Sequence, residues 1–151
     1  MSQTSFFLPN DRTWARLLLH DDAFNTLYLD LSAPAGSLLS LNDQPVAADD
    51  SVRVTVQPRF GTYGLTLSPA GLEFTAARPT ATFSFARYGD LSVADDAASY
   101  ASRAEYAEAL ALWFEITPGR WRRVSSSEYD GADAVTGRLA QPGSYVVAAP
   151  R

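Results

Sequence analysis

Val52-Arg53-Val54-Thr55-Val56-Gln57-Pro58 alternates β-branched apolar residues with polar ones. Successive side chains of a strand point to opposite faces, so this run describes a strand with one face in a core and the other in water. Pro58 ends it, because proline cannot donate to a ladder.

The same grammar recurs in both directions. Upstream, Leu27, Leu29 and Leu31 alternate with Tyr28, Asp30 and Ser32 until Ala33-Pro34-Ala35-Gly36 breaks the run, and Leu38, Leu39 and Leu41 follow as a short loop or strand. Nearer the start, Trp14, Leu17, Leu18 and Leu19 form an apolar patch between turn-forming Asn10-Asp11 and Asp21-Asp22, and a short strand over 15–20 is expected. Downstream, Leu65 and Leu67 sit between Gly64 and Pro69, and Leu72 and Phe74 make another short run. Ala81, Phe83 and Phe85 alternate with Thr80, Thr82 and Ser84, before a turn at Gly89-Asp90. Then Leu110, Leu112, Phe114 and Ile116 alternate with Ala111, Trp113 and Glu115, and Thr117-Pro118-Gly119 supplies a hairpin turn into a return strand over 121–125. After a turn at Asp130-Gly131, runs over 135–139 and 145–148 read as a final pair joined by Pro142-Gly143.

Residues 91–109 differ in kind, being rich in Ala, Ser and acids. Ser102 and Glu105 have the spacing of a capping box, and Ala104, Ala107, Glu108 and Ala109 favour helix. One short helix near 102–109 is expected, crossing one end of the fold. The pattern as a whole predicts an all-β domain: an antiparallel β-sandwich of about eight to ten short strands with that single helix. No linker, low-complexity segment or exact repeat divides the chain, so residues 1–151 read as one domain.

Composition agrees. The 151 residues are 46% hydrophobic and 19% charged, a globular balance. A chain of this size buries roughly two-thirds of its unfolded surface without staples. The absence of cysteine excludes disulfides, thiolate metal sites and a Cys nucleophile. All twelve basic residues are arginine, which reads most simply as codon bias. The net charge of −5 argues against nucleic-acid binding, since the densest basic run, Arg120, Arg122 and Arg123, is interrupted by Trp121. No apolar run approaches the ~18 residues of a membrane span. Residues 1–10 lack the basic and apolar regions of a signal peptide. Either the chain stays in the cytoplasm or it is a mature piece behind an added Met.

Candidate chemistry is sparse. His20 is the single histidine, and its neighbours Asp21 and Asp22 suggest a solvated turn rather than a triad. Asp21-Asp22, Asp49-Asp50 and Asp95-Asp96 offer loop carboxylates of the type calcium uses. They lack calcium-loop spacing and read as turn formers. Gly61, Gly64 and Gly71 lie between strands rather than ahead of a helix, which suits turns and bulges better than a phosphate loop. Trp113, Trp121, Tyr106 and Tyr129 are candidates for a sugar-stacking platform, because Trp113 points away from Leu112 and Phe114 and Trp121 lies one hairpin away. The competing reading is cross-strand packing, with Arg122 or Arg123 stacked on a ring. No catalytic, cofactor or metal residue is assigned. The candidate binding surface is Trp113, Trp121, Arg122 and Tyr129.

Three stretches resemble the ZU5-like β-sandwich family of bacterial cell-surface proteins and lipoproteins. Leu29-Asp30-Leu31-Ser32-Ala33-Pro34-Ala35-Gly36-Ser37-Leu38 resembles its strand and P-x-G-x-L turn. Tyr63-Gly64-Leu65-Thr66-Leu67-Ser68-Pro69-Ala70-Gly71-Leu72-Glu73-Phe74, with Pro79 and 81–88, is similar to its central core. Leu110 to Phe114, Gly119 to Val124, Val135 to Leu139 and Ser144 to Val147 resemble its closing meander. The likeness spans residues 27–149 and consists of strand-and-turn grammar. Some ZU5 proteins cleave themselves at a His-Phe-Ser motif. The matching positions here are Pro142, Gly143 and Ser144, so the base that would activate the hydroxyl is missing and that activity is not carried over.

The resemblance implies a non-catalytic interaction or structural module, an extracytoplasmic accessory domain that binds a protein partner or packs into an assembly through exposed strand edges. The alternative is a carbohydrate-binding module using Trp113 and Trp121. A hydrolase is the weakest reading.

Overall fold

In the computed structural model, which describes residues 3–20, 27–59, 63–84, 100–130 and 134–150, the deciding run is a strand with Val52, Val54 and Val56 buried and Arg53 exposed. In chain order the strands begin with β1 (Thr4–Pro9), β2 (Trp14–Leu19), β3 (Leu27–Ala33), β4 (Leu38–Leu41) and β5 (Gln44–Pro45). They continue with β6 (Ser51–Pro58), β7 (Gly64–Ser68), β8 (Leu72–Phe74) and β9 (Thr80–Ser84). Helix α1 (Arg103–Ala109) follows, then β10 (Ala111–Thr117), β11 (Arg120–Arg123), β12 (Glu128–Tyr129), β13 (Ala134–Arg138) and β14 (Gly143–Ala148). The protein is all-β. The described residues hold fourteen strands because several are pieces of two or three residues, such as β5, β8 and β12.

Two antiparallel sheets face each other. One is six-stranded in the order β1-β6-β7-β14-β10-β11, the other five-stranded in the order β12-β13-β9-β3-β2, and β5-β4-β8 forms a small third sheet. Leu8, Val54, Leu65, Leu112 and Tyr145 from the first sheet meet Leu29, Leu31, Phe83 and Val135 from the second in one buried cluster. The sheets approach so closely that a Cβ on Gly137 would lie 2.9 Å from Leu112 Cδ2.

The helix starts where its capping box predicts. Ser102 Oγ accepts from Glu105 N–H at 3.1 Å, and Glu105 Oε2 accepts from Ala101 N–H at 3.2 Å. Tyr106 and Ala107 turn inward, and the helix lies against β12.

One strand has no sequence signal and three expectations change. Strand β1 has no clean alternation in Phe6-Phe7-Leu8-Pro9, and it forms because β6 supplies its whole ladder. Tyr28, expected on the solvent face, is buried. The β2–β3 register skips it between Leu18↔Leu29 and Leu19↔Leu27, so it is the extra residue of a bulge and turns inward beside Leu29. Ile116 occupies the corresponding place in β10, where the register slips between Glu115 and Thr117, and it is exposed rather than buried. Finally, β13 and β14 are not a hairpin. β13 pairs with β9 and β12 while β14 pairs with β7 and β10, so the Pro142-Gly143 connection carries the chain from one sheet to the other. Phe85, the Gly89-Asp90 turn and Gly131 lie outside the described residues.

Candidate functional site

The β10–β11 hairpin turns at Pro118-Gly119, where Gly119 has φ +79°, a conformation that glycine adopts without a Cβ clash. Its register places Trp113 opposite Arg123 and Glu115 opposite Trp121, so Trp113, Glu115 and Trp121 share the outer face of the six-stranded sheet, while the Arg123 side chain, at the end of β11, turns back to Ser127 O. Leu112 and Phe114 face inward. Trp113 and Trp121 are therefore diagonal neighbours on one face. Trp113 Nε1 donates to Ala148 O at 3.1 Å, which fixes the indole along β14.

The cation on this face is Arg59, not Arg122 or Arg123. Arg59 N–H donates to Gly64 O at 3.1 Å, extending the β6–β7 ladder by one residue. Its side chain then crosses the sheet over Gly64, where a Cβ would lie only 3.2 Å from Arg59 Cδ, and its guanidinium sits 5.5 Å from the centroid of the Trp121 ring. One face of Trp121 is covered in this way. Gly64 thus lies within a strand, where it permits this close crossing, rather than in a turn.

Alternation sends Arg122 to the opposite side of β11, across from Phe114. There it lines a cleft of about 310 Å³ together with Arg78, Arg123 and Arg138, above the rings of Phe114 and Tyr145. The rim is the turn that carries Ser125 and Ser126. That turn is pinned at several points. Val124 N–H donates to Leu112 O at 2.9 Å, Leu112 N–H donates to the buried Ser127 Oγ at 2.7 Å, and Arg138 N–H donates to Ser126 Oγ at 2.8 Å. Arg123 Nη2 donates to Ser127 O at 3.2 Å. Among the described residues no carboxylate lines the cleft, and no ion pair involves Arg78, Arg122 or Arg138. Glu73 lies in the adjoining groove, on the far side of Ala140 and Gln141.

Tyr145 closes the floor. Its hydroxyl donates to Gln141 O at 2.6 Å, four residues back, a link of the tyrosine-corner type in Greek-key sandwiches. Burial pushes this phenol up to about 12, against the opposing pull of the Gln141 bond and of the Arg78 and Arg122 charges. It stays neutral at ordinary pH.

Of the four residues predicted as a surface, three lie on the hairpin and one does not. Tyr129 is on β12 in the other sheet, opposite Val135 and half-buried against the core. Arg122 is separated from the two tryptophans by the alternation of its own strand. Tyr106 is buried, 5.4 Å from the Tyr100 ring, and is no part of a platform. His20 packs edge-on against Tyr28 at 5.3 Å and Tyr63 at 6.4 Å rather than standing in a solvated turn. Asp49-Asp50 is a turn, with Asp50 Oδ2 accepting from Ala47 N–H at 3.3 Å. The other two Asp pairs and Gly61 fall outside the described residues, among which no group of three His, Cys, Asp or Glu side chains is placed to hold a metal. Ser144 Oγ hydrogen-bonds to Thr66 Oγ1 at 2.8 Å on the outer face.

Sequence reasoning missed Arg78, Arg138 and Arg59. Nothing local marks them, because each becomes significant only beside a residue distant in the chain. Compared with protein-family models, with curated proteins and with solved structures, the chain gives no match. No helix among the described residues is long and apolar enough to cross a membrane.

Proposed function

We propose that this domain is a non-catalytic interaction module that engages a protein partner at the β10–β11 end of its six-stranded sheet. The observation that carries the reading is the position of β11. It is the last strand of that sheet, so its outer edge has no strand partner among the described residues, and it bears Trp121 on one face and Arg122 on the other. An extended segment laid along that edge would gain main-chain hydrogen bonds from the strand and specificity from side chains on both faces. Three arginines in a four-residue strand suit a partner segment rich in acids. The likeness to ZU5-like sandwiches supports an accessory role outside the cytoplasm of a bacterium.

The experiment is affinity capture with wild type and Trp121→Ala in parallel, after both show the same melting behaviour. A protein held by wild type and lost with the variant supports the reading, whereas identical capture by both counts against it.

A glycan-binding reading is favoured by one feature, the shared outer face of Trp113 and Trp121. It requires Arg59 to leave the Trp121 ring or the sugar to use the other side. A change in tryptophan emission on adding one member of a polysaccharide panel would support it, and a flat response across the panel would discard it.

A further inference from the structure

We propose that the cleft between β11 and β13 is a binding site for a small phosphate monoester. Four of the chain's twelve arginines line this one cavity, although the chain as a whole carries a net charge of −5. The cluster is therefore not the by-product of a basic surface. Like charges gathered without carboxylates repel one another and destabilise the fold until something neutralises them. Arg123 is held by Ser127 O, which leaves Arg78, Arg122 and Arg138 with no ion-pair partner among the described residues.

The chemistry of these groups selects the ligand. A guanidinium presents a planar fork that matches phosphate and carboxylate oxygens two at a time. Three such forks exceed what a single carboxylate can satisfy, whereas a phosphate monoester offers three oxygens and close to two negative charges near neutral pH. Ser126 Oγ accepts from Arg138 N–H, so its own proton is left to donate toward the cleft. The volume of about 310 Å³ is several times the roughly 30 Å³ share of one water. There is room beyond the phosphate for the esterified group, which would rest on the Phe114 and Tyr145 rings. The rim turn is fixed by a backbone bond to β10 and by Ser127 Oγ and Ser126 Oγ, which accept from N–H groups of β10 and β13, so the site is formed before the ligand arrives.

The inference stands on the cleft alone and is independent of the strand-edge reading. The test is calorimetric titration of the full chain with phenyl phosphate, inorganic phosphate and phenyl sulfate. It is run at about pH 7.5, above a monoester's second pKa of roughly 6, with sodium chloride added to equal ionic strength. Saturable one-to-one binding of phenyl phosphate is expected, with phenyl sulfate, which carries one charge fewer, at least about tenfold weaker. Arg122→Gln and Arg138→Gln should each weaken phenyl phosphate by about tenfold or more while the melt in chloride is not lowered. Should either variant fail to fold, Arg78→Gln, which lies outside the strands, carries the comparison. The proposal is overturned if no phosphate binds saturably, if chloride reproduces the heat, or if the folded variants bind as wild type does. None of those results bears on partner capture through Trp121.

Discussion

The Tyr28 hydroxyl donates to Gly64 O at 2.8 Å and accepts from Gly64 N–H at 2.9 Å, so one side chain of β3 satisfies both backbone groups of one residue in β7. The bond pair ties the five-stranded sheet to the six-stranded one through the interior. It is possible because the β3 bulge turns Tyr28 inward.

Replacing Tyr28 with Phe keeps the ring and removes the link. The Gly64 N–H is then buried without its acceptor, and the expected loss is about 1–3 kcal/mol. Urea unfolding reads this as a lower midpoint with an unchanged slope. A midpoint equal to wild type would mean that the link adds nothing.

Gly64→Ala should be worse. The new Cβ would sit 2.5 Å from Tyr145 O, a backbone atom, and 3.1 Å from Val146 Cγ1. Neither β14 nor β7 can give way without breaking their ladder, so a cost of about 3 kcal/mol is expected. The same substitution lifts Arg59 from Trp121 and changes the indole emission. Arg59→Gln tests that contact separately, with an emission change but a stability cost of no more than about 1 kcal/mol.

Stability should fall in alkali. Tyr145 is pushed up to about 12, and Tyr28 is also raised, in both cases chiefly by burial. A phenol whose folded pKa lies above its unfolded value holds its proton longer in the fold. Its contribution is complete below about pH 10, where the unfolded chain begins to ionise, and is lost as pH rises toward about 12. For Tyr145 the loss is roughly 2–3 kcal/mol. Urea midpoints measured across that range should decline, and Tyr145→Phe should flatten the decline although it starts lower. A profile identical in the two proteins would rule Tyr145 out as its source.

Phe83 is wholly buried, with its ring edge-on to Tyr28 at 5.7 Å. Phe83→Ala should cost about 3–5 kcal/mol, and Phe83→Asp, which buries a charge, should abolish the cooperative melt. A Phe83→Asp protein that melts cooperatively near the wild-type temperature would show that this face is not the core.

Much of the fold is legible locally. The three valines of β6, the alternation of β9 and the capping box at Ser102 each state their element within a few residues, because side-chain period and capping depend on near neighbours alone. Tyr28 and Ile116 depart from the alternation because a bulge shifts it by one and leaves no mark in composition. The β13–β14 connection looks like a hairpin in sequence, since Pro142-Gly143 is turn-forming whether the chain returns beside itself or crosses to the facing sheet.

The sequence by itself determined that this chain is all-β, where most strands run and, away from the bulges, which face of a strand is apolar, but it grouped Arg122 with Trp113 and Trp121, which the β10–β11 register separates. Only the tertiary structure decided which strands are neighbours. It brought Arg59 over Trp121 and gathered Arg78, Arg122 and Arg138 around one cleft. The reason is physical. Alternation is a property of one strand and is nearly the same in every strand here, so it carries no address. Pairing is settled by which arrangement of two sheets closes over a single core, and the exposed arginines are then placed by a choice in which their own chemistry has little part.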